Sequence, residues 1–445
     1  MDLVLINGVN FSEDNAAPQL GLVSLKKVLE SKFGVDIINF DSLYANNQFV
    51  YTDNIDDNLE RMASYICALN PKIAGFYTIC NTYPFAIFLA KKIKEFSPEI
   101  VTIFGGPQVT LTAEITLKRY FFVDIVARGE GENYISELVS SVLNHLPLSN
   151  VKGIAYRGEN GNICFNEMAP VIPGEELKNY TLLDMKNPIK ISPSAAYSVE
   201  AGRGCPYCCS FCSTSIFWGR NFRIKPIDDI LYEIQYLNKT YGIKKFRLEH
   251  DLFTADKKYI ISFCQTLQKK GLDVSWGCSS RIDVLDEEMM KQLKSAGCDS
   301  IYIGFETGSK KMQKRIKKNL SIENADKKLL KLHNYGFDLT VSFIYGFKEE
   351  EETDFLETIS LIEKLYYNNI YKIQLHKFMP LPNTEETAKV FSDLHKDFSD
   401  VDISIYQKSR FNNEIENIIF GQKKFIPVSS LLIIFFVRSI NVWTF

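Results

Sequence analysis

Several features of membrane and secreted proteins are missing from this sequence of 445 residues. No apolar run reaches the roughly 20 residues that a helix needs to cross a bilayer. The nearest candidate, residues 425–437, is interrupted by Pro427 and followed by Arg438. The start, Met-Asp-Leu-Val-Leu-Ile, has no basic segment and predicts a first strand rather than a signal peptide. We therefore expect no transmembrane segment.

The sequence also lacks a strong charge of either sign. Its formal net charge is -3 with 24% charged residues, and it has no basic patch with interleaved aromatic residues. Nucleic acid is therefore not an expected partner. Six scattered cysteines show no disulfide framework, which favours a reducing, cytoplasmic location. They are Cys67, Cys80, Cys164, Cys264, Cys278 and Cys298.

What the sequence does contain is a dense cysteine motif between Gly202 and Cys212. Three of its cysteines, Cys205, Cys209 and Cys212, have the spacing C-x3-C-x2-C. Thiolates this close in sequence can converge on one metal centre from a single loop, and some iron–sulfur clusters take their ligands from such a run. Three ligands on a four-iron cluster leave one iron free for a group other than the protein.

The same run can also be divided into two adjoining CxxC pairs, which suggests zinc. Structural zinc sites usually separate their pairs by a longer spacer, and the adjacent Cys208 and Cys209 would have difficulty pointing at one ion. A buried or disulfide role is a further alternative. We interpret Cys208 as a non-ligand, because Cys209 completes the spacing.

The C-x3-C-x2-C spacing, with aromatic Phe211 before the last cysteine, resembles the signature of the radical S-adenosylmethionine (SAM) superfamily. The resemblance implies a 4Fe-4S cluster on Cys205, Cys209 and Cys212, with Phe211 among the cofactor-binding residues. It also implies that the free iron binds SAM and that the cluster's electron splits SAM to a 5'-deoxyadenosyl radical. An electron donor of the flavodoxin or ferredoxin type is implied as well.

Residues 1–145 alternate short apolar runs with amphipathic segments, which predicts an α/β, doubly wound parallel sheet of Rossmann-like, flavodoxin-like type. In such a sheet, ligands lie beyond the carboxyl ends of the strands. Glycines and short polar residues fall at those ends, where glycine allows a ligand to approach the backbone: 7–8, 78–82, 105–106 and 129–131. No G-x-G-x-x-G follows the first strand, which argues against NAD.

The order and loops of this half resemble the cobalamin-binding domain that precedes the barrel in many radical SAM enzymes. The segments 105–110 and 128–132 carry the resemblance. It implies cobalamin contacts at Thr78, Gly105, Gly106, Gly129 and Gly131. Residues 8–17 contain no histidine, so this loop offers no lower-axial ligand to cobalt. A flavodoxin-like domain without cofactor, or with a nucleotide, is the alternative.

The rest of the chain divides into three parts. Residues 146–196 are expected to form a linker with a small hairpin around the Gly158–Gly161 turn. Residues 197–390 predict six strand–helix steps, a partial (β/α)6 TIM-type radical SAM barrel with its chemistry at the carboxyl ends of the strands. Residues 391–445 are a C-terminal extension that carries no motif.

Polar residues at the strand ends of the second half resemble the branch that contains methylthiotransferases and cobalamin-linked enzymes. The resemblance rests on 280–283, 296–298 and 304–309, and implies that Arg281 and Glu306 hold SAM. A guanidinium suits the methionine carboxylate, and a carboxylate suits the amino group or the ribose hydroxyls. Glu249, or Asp251, lies where the family often has a Gly-Gly-Glu turn, which implies that Glu249 is a cofactor-binding residue, although the glycines of that turn are absent here. His250 is expected to be a packed histidine, with proton donation as the alternative.

Together these features predict a radical SAM enzyme, with cobalamin, that methylates an unactivated carbon of a natural-product or peptide intermediate. Cyclisation or skeletal rearrangement without methyl transfer is one alternative. A non-catalytic cobalamin or cluster sensor or carrier is another, and the polar strand ends disfavour a sensor because it needs no SAM site. The substrate itself is not specified by the sequence.

Overall fold

The computed structural model describes residues 1–9, 19–180 and 196–391. These form two compact units, one up to residue 180 and one from residue 196. Most of the 391–445 extension, including the apolar run at 425–437, lies outside the described residues. Among the described residues, no helix has the length and apolar character needed to cross a membrane.

The first unit alternates strands and helices as the sequence predicts. Its strands are β1 (Leu3–Ile6), β2 (Val35–Ile38), β3 (Ile73–Tyr77), β4 (Val101–Gly105), β5 (Ile125–Ala127), β6 (Ile154–Arg157) and β7 (Ile163–Phe165). Its helices are α1 (Leu20–Leu29), α2 (Phe40–Ala45), α3 (Ile55–Ala68), α4 (Tyr83–Phe96), α5 (Pro107–Arg119) and α6 (Ile135–Leu143).

These strands form one sheet in the order β2-β1-β3-β4-β5-β6-β7. The first five are parallel, and apolar clusters cover both faces, as expected of a doubly wound sheet. The predicted hairpin exists as β6 and β7, but its assignment to the linker is wrong. It pairs antiparallel with β5 and extends this sheet.

Helix α5 is absent from the sequence expectation, which treats residues 105–110 only as a binding motif. Gly106, with φ 104°, precedes the helix, and Pro107 occupies its first position. Proline suits that position because its fixed φ matches a helix and its missing N–H would have no partner there. The Gly-Gly-Pro segment is therefore both a strand end and a helix start.

The second unit contains eight strands and eight helices within the described residues. The strands are β8 (Tyr197–Glu200), β9 (Gly202–Arg203), β10 (Arg223–Ile224), β11 (Lys245–Glu249), β12 (Ser275–Ser280), β13 (Cys298–Glu306), β14 (Asp338–Tyr345) and β15 (Lys372–Lys377). The helices are α7 (Thr214–Phe217), α8 (Ile227–Tyr241), α9 (Lys257–Lys269), α10 (Glu287–Ser295), α11 (Lys310–Arg315), α12 (Ile322–Asn334), α13 (Glu352–Tyr367) and α14 (Glu385–Phe391).

Six of these strands form a parallel sheet in the order β15-β14-β13-β12-β11-β8, which matches the six predicted steps. Strands β9 and β10 form a separate two-stranded ribbon. Along each strand, successive side chains point to opposite faces of the sheet. The face toward the helices is apolar, as Phe246, Ile303 and Val341 illustrate.

The opposite face of the six-stranded sheet is polar. Ser198, Arg247, Gly277 and Ser300 are paired across neighbouring strands, and Ser279, Tyr302 and Thr340 form the next row. Gly304, Ser342 and Gln374 form a third row toward the carboxyl ends. We call this surface the inner face.

Candidate functional site

The four-cysteine loop lies between β9 and α7. Cys205, Cys209 and Cys212 are partly buried, Cys208 is exposed, and all four are free thiols. Burial raises the pKa of the Cys205 and Cys209 thiols, so a metal that binds them displaces protons. The structure therefore separates Cys208 from the other three by its exposure.

Within the described residues, no three histidine, cysteine, aspartate or glutamate side chains are arranged to hold one metal ion. A four-iron cluster does not require three ligands around one metal ion, because each thiolate binds a different iron atom. The donor set fits that cluster: three free, partly buried thiols on one loop of eight residues. Cys209 also accepts an N–H···S hydrogen bond, described below.

Asp251, two residues after β11, contacts both ends of this loop. Its Oδ2 accepts a hydrogen bond from the Gly204 backbone N–H at 2.7 Å, and Thr214 Oγ1 lies 3.5 Å from its Oδ1. Burial raises the pKa of Asp251, against the opposing effect of the Gly204 hydrogen bond. Of the two carboxylates proposed from the sequence, Asp251 is the one that contacts the cysteine loop.

Glu249 and His250 are engaged elsewhere. Glu249 Oε1 accepts from Ser198 Oγ at 2.8 Å and lies 3.1 Å from Arg247 Nε, on the inner face. His250 is buried: its Nδ1 accepts from Leu252 N at 2.9 Å, and its Nε2 lies 3.0 Å from Arg223 O. Burial lowers the pKa of His250 to about 4. His250 is the packed histidine that the sequence favours.

A second support for the loop comes from α14, and the sequence does not predict it. Ser210, inside the motif, donates from its Oγ to Glu386 Oε1 at 2.7 Å, and its N–H donates to Ile316 O at 2.9 Å. Lys389 Nζ lies 2.7 Å from the same Glu386 oxygen. No local pattern could identify Glu386, because its partner is 176 residues away.

Phe211 packs in an apolar cluster with Met312, Ile316 and Phe347. Its ring centroid lies 6.0 Å from that of Phe347, in an edge-on arrangement. Aromatic pairs of this geometry stabilise beyond the area they bury. Phe211 therefore anchors the loop to the segments after α11 and β14, a role that the predicted cofactor contact does not include.

Arg281 lies directly beside the loop, and most of its donors have partners. Its Nε and Nη2 bond the two carboxylate oxygens of Asp283, at 3.0 and 2.9 Å, and Nη2 also donates to Lys318 O at 2.7 Å. Its Nη1 lies 3.6 Å from Cys209 Sγ, and the guanidinium lies 3.8 Å from the centre of the Tyr207 ring. These contacts engage four of the five N–H donors of Arg281, the residue that the sequence predicts as a SAM contact.

Glu306 forms a buried ion pair with Lys318, with Nζ 3.0 Å from Oε1. Glu306 has a φ of 74°, and the pairing of β13 with β14 shifts register between Gly304 and Glu306. A Cβ on Gly304 would overlap Glu306 Oε1. Backbone strain of this kind persists only where the surroundings enforce it, and it is common at functional sites.

Lys318 is a residue that the sequence motifs do not indicate. It is buried, and its neighbours Lys317 and Asn319 both have left-handed φ values, of 56° and 58°. This backbone turns the Lys318 side chain toward Glu306 while its carbonyl oxygen accepts from Arg281. Its positive charge also opposes the effect of burial on the pKa of Cys209.

In the first unit, the residues predicted to contact cobalamin lie at the carboxyl ends of β3, β4 and β5. Thr78 is fully buried and its hydroxyl donates to Gly105 O at 2.9 Å, so it supports the neighbouring turn. A Cβ on Gly106 would overlap Thr78 O, whereas one on Gly105 would meet nothing closer than 3.8 Å. Packing therefore requires glycine at 106 but not at 105, and glycine at a strand end allows a ligand to approach the backbone.

The two other glycines differ from each other. Gly129 has a φ of 74°, and its N–H donates to Thr110 Oγ1 at 3.1 Å. A Cβ on Gly131 would crowd Leu25 at 3.1 Å, which is a packing reason for glycine there. The first loop, where the sequence has no histidine, lies largely outside the described residues.

Comparisons with known proteins match both units. Residues 199–362 match the model of the Radical SAM superfamily, and residues 8–139 match that of the B12 binding domain. An uncharacterized methyltransferase of Pyrococcus horikoshii is 30% identical over 351 residues, which covers 78% of this chain and 73% of the relative. An anaerobic magnesium-protoporphyrin IX monomethyl ester cyclase of Rubrivivax gelatinosus is 28% identical, covering 81% of this chain and 65% of that protein.

A solved structure has the same fold. The radical SAM methyltransferase TsrM from Kitasatospora setae, with cobalamin and a [4Fe-4S] cluster bound, aligns with a TM-score of 0.69. The alignment covers 88% of this chain and 75% of the TsrM chain, at 15% sequence identity. At this identity the likeness concerns the fold: a B12-binding unit followed by a radical SAM unit.

Proposed function

Because this chain belongs to the radical SAM superfamily and carries a B12 binding domain in front of its radical SAM domain, we propose that it methylates an unactivated carbon of a small polar molecule. The proposal depends above all on one observation: a loop with three partly buried thiols borders a parallel six-stranded sheet in a chain that also has the cobalamin-binding fold. A 4Fe-4S cluster, SAM and cobalamin are the cofactors of this family.

When bound, the cluster and SAM supply a carbon-centred radical, and cobalamin supplies the methyl group that is transferred. The protein's part is to hold these groups and the substrate. We assign Cys205, Cys209 and Cys212 to the cluster. We assign Glu306 and Lys318 to the amino acid end of SAM, because a zwitterion matches a carboxylate and an ammonium that are already paired at 3.0 Å.

The inner face supports a polar substrate rather than a lipid. Closed TIM barrels fill this position with bulky branched side chains. Here the rows carry hydroxyls, an amide and Arg247, whose side chain is half exposed. Binding pockets fix their ligands by a few placed polar groups, and a lipid would leave these groups without partners.

Cyclisation without methyl transfer is the second candidate, favoured by the similarity to the Rubrivivax gelatinosus cyclase. The mass of the product separates the two candidates. With SAM deuterated on its methyl group, methylation transfers a labelled methyl group to the product, whereas cyclisation transfers none.

The test begins with anaerobic purification and reconstitution with iron, sulfide and cobalamin. We expect a cluster absorption band that is lost in the Cys205→Ala, Cys209→Ala, Cys212→Ala triple variant, while corrinoid absorption remains. A cluster without bound corrinoid would rule out cobalamin-dependent methylation. Stoichiometric zinc without a cluster would overturn the enzyme proposal, and a flavodoxin or ferredoxin would then have no role as donor.

A further inference from the structure

Arg281 touches the cysteine loop through a sulfur atom as well as through an aromatic ring. Its Nη1 lies 3.6 Å from Cys209 Sγ, within the range of an N–H···S hydrogen bond, and the Tyr207 ring covers its guanidinium. The side chain of Arg281 is only 6% exposed. Water and salt therefore screen its charge weakly, and the charge acts on Cys209 at close range.

Asp283 opposes this charge. It binds the guanidinium with both carboxylate oxygens, the bidentate geometry that makes arginine–carboxylate pairs strong. The Lys318 carbonyl oxygen accepts a further hydrogen bond from Arg281 Nη2 and fixes the plane of the guanidinium. The Cys209 sulfur thus faces a cation whose counter-ion lies on a different edge of the same guanidinium.

A hydrogen bond or positive charge at a ligand sulfur stabilises an iron–sulfur cluster more after it accepts an electron, because the reduced cluster carries more negative charge. Hydrogen bonds to the sulfurs and local charge are among the factors that set the reduction potentials of such clusters. In this chain the two charges act in opposite directions. Arg281 favours the reduced state, and Asp283 weakens that effect.

On the basis of the proposed cluster, we propose that Arg281 and Asp283 act as an opposed pair that sets the potential at which the cluster on Cys205, Cys209 and Cys212 accepts its electron. Arg281 is then a positioning and tuning residue of the cluster. This assignment differs from the SAM contact that the sequence motif implies, and it explains why four of the five N–H donors of Arg281 are engaged within the described residues.

The experiment is a redox titration of the reconstituted full chain without SAM, with dithionite and mediators, followed by electron paramagnetic resonance of the reduced cluster. For Arg281→Gln we expect about a tenfold lower ratio of reduced to oxidised cluster at a given potential, which is a midpoint about 59 mV lower for one electron. For Asp283→Asn we expect a shift of the opposite sign. Arg281→Lys keeps the positive charge but loses the bidentate hydrogen bonds of the guanidinium. Its midpoint potential is expected to lie between those of wild type and Arg281→Gln.

Matched controls lie at the amino end of the same sheet. Asp338 and Lys372 form an exposed ion pair at the starts of β14 and β15, so Asp338→Asn and Lys372→Gln repeat both charge changes away from the cysteine loop. Their midpoints are expected to equal that of wild type. Iron and sulfide contents are measured in every variant, so that a shift is compared only between proteins with a full cluster.

Opposite shifts in the two variants support the inference, because loss of structure alone would not raise the potential in one and lower it in the other. Equal midpoints, or shifts of one sign, overturn it while leaving the proposed function intact. If Arg281→Gln does not fold, the sign of the Asp283→Asn shift decides, since that change leaves the contacts to Cys209, Tyr207 and Lys318. If wild type assembles no cluster, the proposed function fails and this inference fails with it.

Discussion

Glu306 and Lys318 meet as a buried ion pair, 3.0 Å apart, at the carboxyl end of β13. The two residues are only twelve positions apart, yet both depend on unusual backbone, a left-handed φ at Glu306 and left-handed residues on either side of Lys318. A buried charge without its partner is costly, so neither residue can be removed alone without loss. The pair therefore places one carboxylate and one ammonium in fixed positions.

Gly304→Ala is expected to weaken SAM binding. The added Cβ would overlap Glu306 Oε1, which is the mobile end of a side chain, so the carboxylate moves and the ion pair with Lys318 opens. We expect the SAM dissociation constant to rise about tenfold, equivalent to about 1.4 kcal/mol. Isothermal titration calorimetry on the reconstituted protein measures it.

Gly21→Ala in α1 is the control, because nothing lies within 4 Å of its Cβ position. It should leave SAM affinity unchanged. Unchanged affinity in Gly304→Ala as well would remove Glu306 and Lys318 from the SAM site.

His250 predicts a pH dependence of stability. Burial lowers the pKa of folded-state His250 to about 4, so the unfolded chain binds more protons between pH 4 and the ordinary histidine pKa of about 6.5. The stability contributed by the neutral ring is therefore present above pH 6.5 and is lost as pH falls toward 4, by about 3 kcal/mol. Denaturant unfolding of the metal-free protein across this range measures the change.

His250→Asn places an amide oxygen near the position of Nδ1, which accepts from Leu252 N. This variant should be less stable at pH 7 and should lose most of that pH dependence. His333→Asn, on α12, should retain it. If the free energy of unfolding depends on pH equally in His250→Asn and wild type, His250 does not remain neutral in the folded protein.

Glu386→Ala is expected to loosen the cysteine loop from the α14 side. The change leaves the buried hydroxyl of Ser210 without its acceptor, which costs about 1–3 kcal/mol of unfolding free energy. Iron content after reconstitution should fall as well. Glu385→Ala is the neighbouring control, because Glu385 is an exposed partner of Lys317 and its loss should change stability by less than about 0.5 kcal/mol. Equal effects of the two changes would contradict the support role.

Cys208→Ala is expected to keep the full cluster, whereas Cys209→Ala loses it. Cys208 is exposed and Cys209 is partly buried beside Arg281, although the two residues are adjacent in sequence. Iron and sulfide per chain and the cluster absorption band measure the difference. Loss of the cluster in Cys208→Ala, with retention in Cys209→Ala, would reverse the assignment of ligands.

The family and the fold class were predictable because their signals are local or periodic. Buried parallel strands appear as apolar runs between amphipathic helices, and the three cysteines fall within eight residues. The partner of the hairpin was not predictable, since strands β6 and β7 carry no mark that distinguishes pairing with β5 from an independent linker ribbon. Helix α5 was missed because its first residues coincide with a recognisable motif.

The site was predictable only where chemistry and sequence motif coincide. Glu386 and Lys318 are linked to the cysteine loop by tertiary contacts, so no sequence spacing predicts them. For Arg281 the motif implies a SAM contact but does not indicate its protein partners, Asp283 and Lys318, which take several of its donors. A motif can single out a side chain, while the contacts of that side chain depend on neighbours that the sequence does not place.

The glycines just before the first cysteine have a consequence for how this motif changes over evolution. A Cβ on Gly202, in β9, would overlap Arg223 O in β10, and one on Gly204 would overlap Asn221 O in the segment just before β10. Gly204 also has a left-handed φ of 90°. The close approach of the backbone therefore requires glycine at these two positions, independently of the metal. Descendants that lose the cysteines should keep both glycines, so the Gly-x-Gly pair alone marks ancestry rather than activity.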